Sequence, residues 1–475
     1  MKTMITYTKK EHIIAYVLLF ALTVLAVNNA SAQGQAANWY LGNRSGLNIA
    51  DTPYMMEDGV LVSDGACASY SEPDGQLSIY TNGETIWNAK HLVVNGGNNI
   101  LGSSNASQGT LMIKMPALPH FIMVFTTGAN GDDSLRYTLV DIAAFSHLGQ
   151  VDPMLKNIAI HGPVEEKLTA VFDDNGDVWV VAHGYKTDEY IAFKLTGIDY
   201  PEDVTPVISH VGNVDLISGK GCMKISPDGR KIARTMPLQN KVEFAAFDVN
   251  TGVVSAVNTI NNMSGCYGLE FSSYSNRMYV TTQGVDQNFI HQFNIALPTY
   301  SDIVSSKHSL IPPSNTYPTA LQLGYNGVIY IANAQSNTLG MITNADTLGT
   351  QLLYGPIAQD LGRAVYNGLP AFNQGYFKRT PPIPVVTSVN EDAISSIGIY
   401  PNPSNGVFKL NIGRNKSEEL KLNIYNMTGA KIFSADKFAE GQKLISVDLS
   451  KQPAGVYFFE VNIPTGKVIK RLVIN

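Results

Sequence analysis

Short apolar runs broken by turn residues dominate the chain between residues 37 and 378, and helical periodicity is almost absent there. One unit recurs: an apolar strand, a tight turn, a second apolar strand and a more polar third strand. The clearest copies span residues 66–81, 110–126, 168–182, 221–234, 267–281 and 319–332. Several of their turns read Pro-Asp-Gly or Asp-Asn-Gly, which favour hairpins because glycine accepts a positive φ. The pattern therefore predicts a succession of similar β-hairpins.

The spacing of these hairpins indicates a repeat architecture. Marker residues in the six turns are 45 to 56 positions apart, and a period of about 40–50 residues with several strands per unit is typical of a β-propeller. The stretches 39–62 and 362–377 add strand-like runs outside the six blade cores. We therefore predict a seven-bladed propeller over 33–379 whose N- and C-terminal strands share one blade, with six blades as the alternative.

The pattern changes after residue 379. Clustered proline and polar residues at 380–396 are typical of an interdomain linker. Residues 397–475 then contain about seven short alternating strands, which predicts a small Ig-like β-sandwich. The fold class is therefore all-β, with two domains.

The N-terminus has the pattern of a secretory signal peptide. Lys2, Lys9 and Lys10 precede an apolar run at 13–27, and small residues follow up to Ala32. This predicts a signal peptide over 1–32 that is cleaved after Ala32. The alternative, an uncleaved membrane anchor, would need about 20 apolar residues. No second apolar run of that length follows in the sequence.

Composition narrows the class of protein. Only 15% of the 475 residues are charged and the net charge is -6, against about 25% charged residues in a typical soluble domain. The charge is uneven: +2 in the signal peptide, +3 from Glu391 onward, and -11 between them. The absence of a basic block argues against nucleic acid as a partner. Three cysteines are too few for a disulfide framework; Cys222 and Cys266 either form one disulfide or are buried thiols.

Four ordered motifs at the C-terminus resemble the C-terminal sorting domain of type IX secretion cargo in Bacteroidota. They are Tyr400–Gly406, Ile424–Gly429, Pro453–Tyr457 and Lys470–Ile474. The motif residues to which the resemblance assigns sorting are Pro401, Asn402, Pro403, Gly406, Gly429, Gly455, Tyr457, Lys470 and Arg471. The resemblance implies passage to the periplasm, recognition by an outer-membrane translocon, and release or attachment at the cell surface. An ordinary Ig-like module is the alternative, since fold alone does not specify function.

The N-terminal half resembles a second group, secreted propeller-like proteins of the same bacteria. The similar segments are 38–43, 67–71, 77–83, 86–88 and 368–372. This resemblance supports the propeller and implies no established activity.

Motifs for enzyme chemistry are scarce. The sequence has no Gly-x-Ser-x-Gly, no His-Glu-x-x-His and no P-loop, and its nine histidines are scattered. The acidic stretch Asp173–Asp177 resembles a calcium loop but lacks the later bidentate Glu, so we interpret it as a hairpin turn. No cofactor is assigned.

Comparison of the blades singles out three polar residues. Lys224, Glu270 and Gln322 lie inside otherwise apolar first strands, where burial demands partners. One interpretation is a ligand or metal pocket on the propeller axis. The other, which we favour, is a structural Lys224–Glu270 ion pair between adjacent blades, because such pairs are common.

Two functions remain open at this stage. The first is a secreted or cell-surface binding protein whose propeller meets a glycan or an envelope protein. The alternative is an extracellular hydrolase or lyase, such as a metal-dependent lactonase, which would need inward-facing oxygen ligands on the axis.

Overall fold

The computed structural model describes residues 34–49, 53–129, 133–197, 199–285, 287–379, 398–411, 421–426, 430–435, 444–463 and 466–474. The predicted signal peptide, the predicted linker and Gly429 lie outside the described residues. The chain divides into two compact units, the first ending at Arg379 and the second beginning at Thr380.

The regular secondary structure in the described part of the first unit is mostly antiparallel strands. In chain order they are β1 Asn38–Leu41, β2 Ser45–Asn48, β3 Tyr54–Met56, β4 Ala68–Ser71, β5 Leu77–Thr81, β6 Ile86–Asn88, β7 Thr110–Lys114, β8 Phe121–Thr126, β9 Asp133–Asp141, β10 Gln150–Val151, β11 Ile158–Phe172, β12 Val178–Gly184, β13 Glu189–Leu195, β14 Val207–His210, β15 Met223–Ile225, β16 Lys231–Met236, β17 Lys241–Phe247, β18 Val254–Ile260, β19 Leu269–Phe271, β20 Arg277–Gln283, β21 Asn288–Asn294, β22 His308–Leu310, β23 Pro318–Leu323, β24 Ile329–Asn333, β25 Ser336–Thr343 and β26 Leu353–Val365. Helical turns are few and short: α1 Ala144–His147, α2 Tyr300–Ser305, and 3-10 turns at Gly34–Ala36, Pro201–Asp203, Pro237–Gln239, Gly349–Gln351 and Gln374–Phe377.

These strands pair in small sheets that follow one another along the chain. Three strands form each of the sheets β1–β3 and β4–β6, and four strands form each of β15–β18, β19–β22 and β23–β26. Strands β7–β14 form one eight-stranded sheet, because β11 pairs with both β9 and β12. Its beginning pairs with β9 and its end with β12. All six predicted hairpins are present.

The hairpin turns follow the predicted chemistry at most positions. Gly75, Gly176, Gly229 and Gly327 have φ between +74° and +89°, a region open to glycine because it has no Cβ. In the fifth turn the positive φ belongs to Ser275 rather than to a glycine.

Buried apolar clusters join each sheet to the next. One cluster contains Val171 and Trp179 from one sheet and Met223 and Ile225 from the next. Another joins β23–β26 to β1–β3, where Trp39 packs edge-to-face on Tyr330 with ring centroids 5.1 Å apart. The sheets are thus held together by apolar burial, which contributes about 25 cal/mol per Å².

The segments that precede the first strands are hydrogen-bonded to one another. Asp64 N–H donates to Ser104 O, Gln108 N–H to Glu166 O, and Glu166 N–H to Gly219 O. The segments before β4, β7 and β15 therefore lie at one end of the unit, beside Glu166 of β11.

The first and last sheets differ from the prediction of a shared blade. In the described residues, β1–β3 contains only N-terminal strands and β23–β26 only later ones. The two sheets are instead linked side by side, since Asn43 N–H donates to Ala364 O at 2.9 Å.

The second unit has two sheets around one apolar core. The strands are β27 Gly398–Tyr400, β28 Val407–Asn411, β29 Lys421–Asn426, β30 Lys431–Ala435, β31 Leu444–Asp448, β32 Gly455–Ile463 and β33 Gly466–Ile474. The sheet orders are β27-β28-β31 and β30-β29-β32-β33. Phe408 and Val447 of the first sheet share a buried cluster with Ile424, Phe459 and Leu472 of the second.

In the described residues, none of the helices has both the length and the apolar character needed to cross a membrane.

Candidate functional site

Lys224, Glu270 and Gln322 meet in the interior of the first unit. They lie on β15, β19 and β23, the first strands of three successive sheets. Lys224 Nζ is 3.1 Å from Glu270 Oε2 and donates a hydrogen bond to Gln322 Oε1. No more than 3% of any of the three is exposed. We call this trio the axial group.

The remaining atoms of the axial group also have partners. Glu270 Oε1 accepts from Phe271 N–H at 2.9 Å, and Oε2 accepts from Leu323 N–H at 3.0 Å. Gln322 Nε2 donates to Leu323 O at 2.9 Å. A buried ion pair is tolerated when its other hydrogen-bonding capacity is satisfied in this way. The axial group therefore cross-links three sheets, and a ligand could enter only by displacing these bonds.

Three residues of other first strands, Lys114 on β7, Val171 on β11 and Ser69 on β4, have partners outside the axial group. Lys114 Nζ pairs with Glu72 Oε2 at 2.8 Å in a partly exposed contact. Val171 packs in an apolar cluster. Ser69 Oγ accepts from Tyr40 N–H at 3.3 Å.

A larger charged cluster lies between the sheet of β11–β14 and the sheet of β15–β18. Its members Glu165, Lys167, His183, Arg234 and Glu243 are all 0% exposed. Glu165 is 2.8 Å from Lys167 and 2.9 Å from Arg234. Arg234 Nε also donates to Glu243 Oε2 at 2.7 Å. We call these five residues the inter-sheet cluster.

Neighbouring groups of the inter-sheet cluster hold Glu165 in its ionised form. Burial alone would raise the pKa of Glu165, but Lys167, His183 and Arg234 outweigh it and hold the pKa well below its usual range. The pKa of His183 is lowered, first by burial and then by Arg234. Removal of one partner from such a network leaves an uncompensated buried charge, which costs about 3–5 kcal/mol. The chemistry of this cluster is therefore structural cross-linking.

The inter-sheet cluster was not predicted from the sequence. Its signal is the run Glu165-Glu166-Lys167 directly before the apolar strand end at Leu168. Three consecutive charges usually mark a solvated turn, since charged residues are rarely buried unless they are paired. Their partners Arg234 and Glu243 come from two strands that are distant in the chain.

The acidic stretch that resembled a calcium loop is a hairpin turn in which Asp173 caps the backbone. Asp173 Oδ1 accepts from Asn175 N–H at 2.8 Å and from Asp177 N–H at 2.9 Å. Lys194 Nζ lies 2.8 Å from the other oxygen of Asp173. Both carboxylate oxygens of Asp173 therefore already have partners within the protein.

The three cysteines are free thiols, and all are buried. The Cys222–Cys266 disulfide, one of the two sequence alternatives, is not formed in the structure. Burial raises the pKa of the Cys222 thiol and of the Cys266 thiol to about 11. Since the thiolate is the reactive species, these cysteines are not poised as nucleophiles.

The sorting motifs of the second unit, far apart in the sequence, come together on the sheet β30-β29-β32-β33. Asn426 of the second motif pairs with Tyr457 of the third, and Tyr457 pairs with Leu472 of the fourth. On the free edge of β33, Ser404 of the first motif forms a bridge to Ile474. The four motifs therefore form one row across this sheet.

Side chains of the motifs hold this row in place. Asn402 Oδ1 accepts from Val473 N–H at 2.9 Å, and Tyr457 OH donates to Pro453 O at 2.6 Å. Gly406, with φ +94°, ends the turn of the first motif, where a Cβ would lie 2.6 Å from Ser450 Cα.

The positions of the remaining sorting residues follow from the sequence and from strand pairing. Pro401 and Pro403 flank Asn402 in the first motif, and Gly455 pairs with Ile474. Lys470 and Arg471 lie on β33 opposite Phe459 and Phe458. Gly429 is outside the described residues.

Residues 398–475 match the family of the secretion system C-terminal sorting domain. This match confirms the prediction of a type IX secretion cargo with a C-terminal sorting domain. The domain indicates export, to the cell surface or into the medium. Among curated proteins, none matches the chain.

Three solved structures are similar to the chain at low identity. Two are each described as a "putative 6-phosphogluconolactonase". The one from Bacteroides uniformis is 12% identical, with 70% of this chain and 98% of that chain covered and a TM-score of 0.44. The one from Bacteroides fragilis is 11% identical, with coverage of 70% and 97% and a TM-score of 0.45. The virginiamycin B lyase of Staphylococcus aureus is 11% identical, with coverage of 69% and 86% and a TM-score of 0.35. No activity of these proteins is transferred to this chain.

Proposed function

We propose that this protein is a secreted or cell-surface binding protein whose first unit, a seven-bladed propeller, presents loops to a ligand outside the cell. The domains of the proposal are a signal peptide at 1–32, the propeller at 33–379, a linker at 380–396 and an Ig-like sorting domain at 397–475. The outer-membrane translocon is the proposed partner of the sorting domain, and a glycan or an envelope protein is the proposed partner of the propeller.

The order of contacts between sheets supports the propeller. The first strands contact one another in chain order, β1 with β4, β4 with β7, β7 with β11, β11 with β15, β15 with β19 and β19 with β23. Strand β26 of the last sheet contacts β2 and β3 of the first. A set of sheets in which each contacts the next, and the last contacts the first, is what a ring of blades requires.

The observation that carries the binding function is a set of exposed apolar side chains in loops at one end of the first unit. The loops before β4, β7, β15 and β23 expose large apolar side chains, namely Val60, Val62, Leu101, Leu216, Ile217, Ile311 and Tyr317. Leu216 and Ile217 are 67% and 55% exposed. Contiguous exposed apolar residues are typical of interaction sites, and Leu216 and Ile217 are adjacent in the chain.

Substitution of this surface tests the binding function. In the full chain, Leu216→Ser with Ile217→Ser should lower retention on purified envelope polysaccharide or outer-membrane fragments by at least several-fold. Phe145→Ser is the matched control, because Phe145 is 58% exposed in the turn after β9. Equal retention of all three proteins would contradict the proposal.

Deletion of the sorting domain tests export. A chain that ends at residue 390 should accumulate in the periplasm, because the motif row that the translocon is proposed to recognise is gone. Normal appearance in the medium or on the cell surface would refute the export route. The result does not depend on what the propeller binds.

The alternative enzyme needs a site that the axial group does not supply. A metal-dependent hydrolase of the lactonase kind would require oxygen ligands that converge on the axis. In the described residues, the Glu270 carboxylate of the axial group already forms an ion pair with Lys224. We therefore favour binding, and an ordered metal with three or four oxygen ligands on the axis would decide for the enzyme.

A further inference from the structure

The last residues of the first unit run through its interior. Residues 367–379 follow β26, and their contacts are with strands from the beginning, the middle and the end of the unit. Six of their side chains are almost fully buried, namely Leu369, Ala371, Phe372, Asn373, Gln374 and Phe377, each no more than 6% exposed.

At its start the segment is fixed between the second and the last sheet. Asn367 N–H donates to Asp64 O at 2.8 Å, and Ala320 N–H donates to Asn367 O at 3.1 Å. The side-chain amide of Asn367 donates to both carboxylate oxygens of Asp64, at 2.9 and 3.1 Å. Gly368 passes so close that a Cβ would lie 1.7 Å from Gly65 O.

In its middle the segment contacts first strands of two further sheets. Ala371 N–H donates to Cys67 O at 3.0 Å, just before β4. Asn373 forms a parallel bridge to Ala170 of β11. The Phe372 ring lies 5.8 Å from the ring of Trp39 on β1.

At its end the segment is held by the turns at the ends of first strands. Tyr376 packs edge-to-face on Phe172, with ring centroids 5.3 Å apart. Arg379 N–H donates to Ser273 O at 3.2 Å, and its guanidinium donates to Tyr325 O. A Cβ on Gly375 would lie 2.5 Å from the Phe172 ring.

We propose that Asn367–Arg379 is a clasp, a conformational lock that joins the sheets of β1, β4, β11, β19 and β23 from the inside. A ring of sheets that pack only on their neighbours can open at any junction. A segment that bonds to five of them must be displaced before the ring opens, so the clasp couples their opening into one event. The last residues before the predicted linker thereby become part of the core of the first unit, and this inference does not depend on the ligand.

The experiment compares two buried phenylalanines in the full chain by hydrogen exchange. Phe372→Ala loosens the clasp, and Phe293→Ala is the control, since Phe293 is 0% exposed in the cluster between β15–β18 and β19–β22. Phe372→Ala should raise amide exchange at least tenfold in β1, β4, β11 and β23 together. Phe293→Ala should raise exchange mainly in β15–β22.

Milder variants keep the test decisive if Phe372→Ala does not fold. Asn367→Ala removes only the side-chain hydrogen bonds to Asp64 and should give the same pattern with a smaller increase. Phe372→Leu should restore exchange toward the parent value. If exchange in Phe372→Ala or Asn367→Ala rises only in 367–379 and one neighbouring strand, the segment merely packs on that strand and the clasp is overturned.

Discussion

Asn402 Oδ1 accepts a hydrogen bond of 2.9 Å from the backbone N–H of Val473, 71 positions later in the chain. Ser404 N–H donates to Val473 O at 3.0 Å beside it. The first sorting motif thereby holds the end of the last strand, which carries the fourth motif. This link explains how motifs at the two ends of the second unit form one surface.

We expect Asn402→Ala to reduce export. Loss of one hydrogen bond costs about 1 kcal/mol. This lowers about fivefold the ratio of molecules in which the end of β33 is held by the first motif to those in which it is not. The secreted fraction, measured by immunoblot of medium and periplasm, should fall. Asn402→Asp keeps an acceptor oxygen at this position and should export better than Asn402→Ala. Equal export of both variants and the parent would show that the link is dispensable.

We expect Glu270→Gln to lower the free energy of unfolding without affecting retention on envelope fragments. The buried Lys224 ammonium would lose its charged partner, a change that costs about 3–5 kcal/mol. Chemical denaturation measures it. Glu72→Gln removes the partly exposed partner of Lys114 and, as the matched control, should cost no more than about 1 kcal/mol. A loss of ligand or metal binding with stability unchanged would instead support a pocket at the axial group.

Acid should destabilise the first unit through His291, which is 8% exposed. Burial, and secondly Lys307, lower the pKa of His291 to about 4, against about 6.5 for an unfolded histidine. Between these values the unfolded chain binds a proton that the folded chain does not. The contribution of His291 to the free energy of unfolding is therefore fully present above about pH 6.5. It is lost as the pH falls, by about 1.4 kcal/mol per pH unit.

Over the whole window the loss should reach roughly 3 kcal/mol. His183, whose pKa is also lowered by burial, should act in the same direction. The free energy of unfolding, measured by denaturation between pH 7 and pH 4, should therefore depend less steeply on pH in His291→Gln than in the parent. His120→Gln, at an exposed turn position, is the control. An unchanged slope in His291→Gln would contradict the role of His291.

The three thiols should react only after unfolding. Cys67, Cys222 and Cys266 are buried and free, and a raised pKa keeps a thiol protonated at pH 8. Alkylation of the folded protein should add no label, whereas alkylation in denaturant without reductant should add three, as counted by mass spectrometry. A single label in denaturant would show that two of the cysteines form a disulfide.

The sequence analysis located the strands well because their signal is local. Alternating or continuous apolar runs with Gly-containing turns marked six hairpins, and each is present. The resemblance of four short motifs identified the sorting domain at 398–475. Lys224, Glu270 and Gln322 were found because a polar residue inside an apolar strand is conspicuous.

The inter-sheet cluster and the clasp depend on distant contacts. Glu165 pairs with Arg234 across 69 positions, and no local pattern shows which charges are buried together. The sequence 367–379 resembles any short loop with apolar residues, and only its neighbours make it an internal segment.

By itself, then, the sequence determined the all-β class, the places of the hairpins and the sorting motifs. These follow from side-chain alternation, turn chemistry and short motifs, which act over a few residues. The tertiary structure alone decided that Glu165 and Lys167 are buried, that the motifs form one row, and that residues 367–379 run inside the first unit. The reason is that sheet packing, not local preference, sets which residues lose water and which partners they meet.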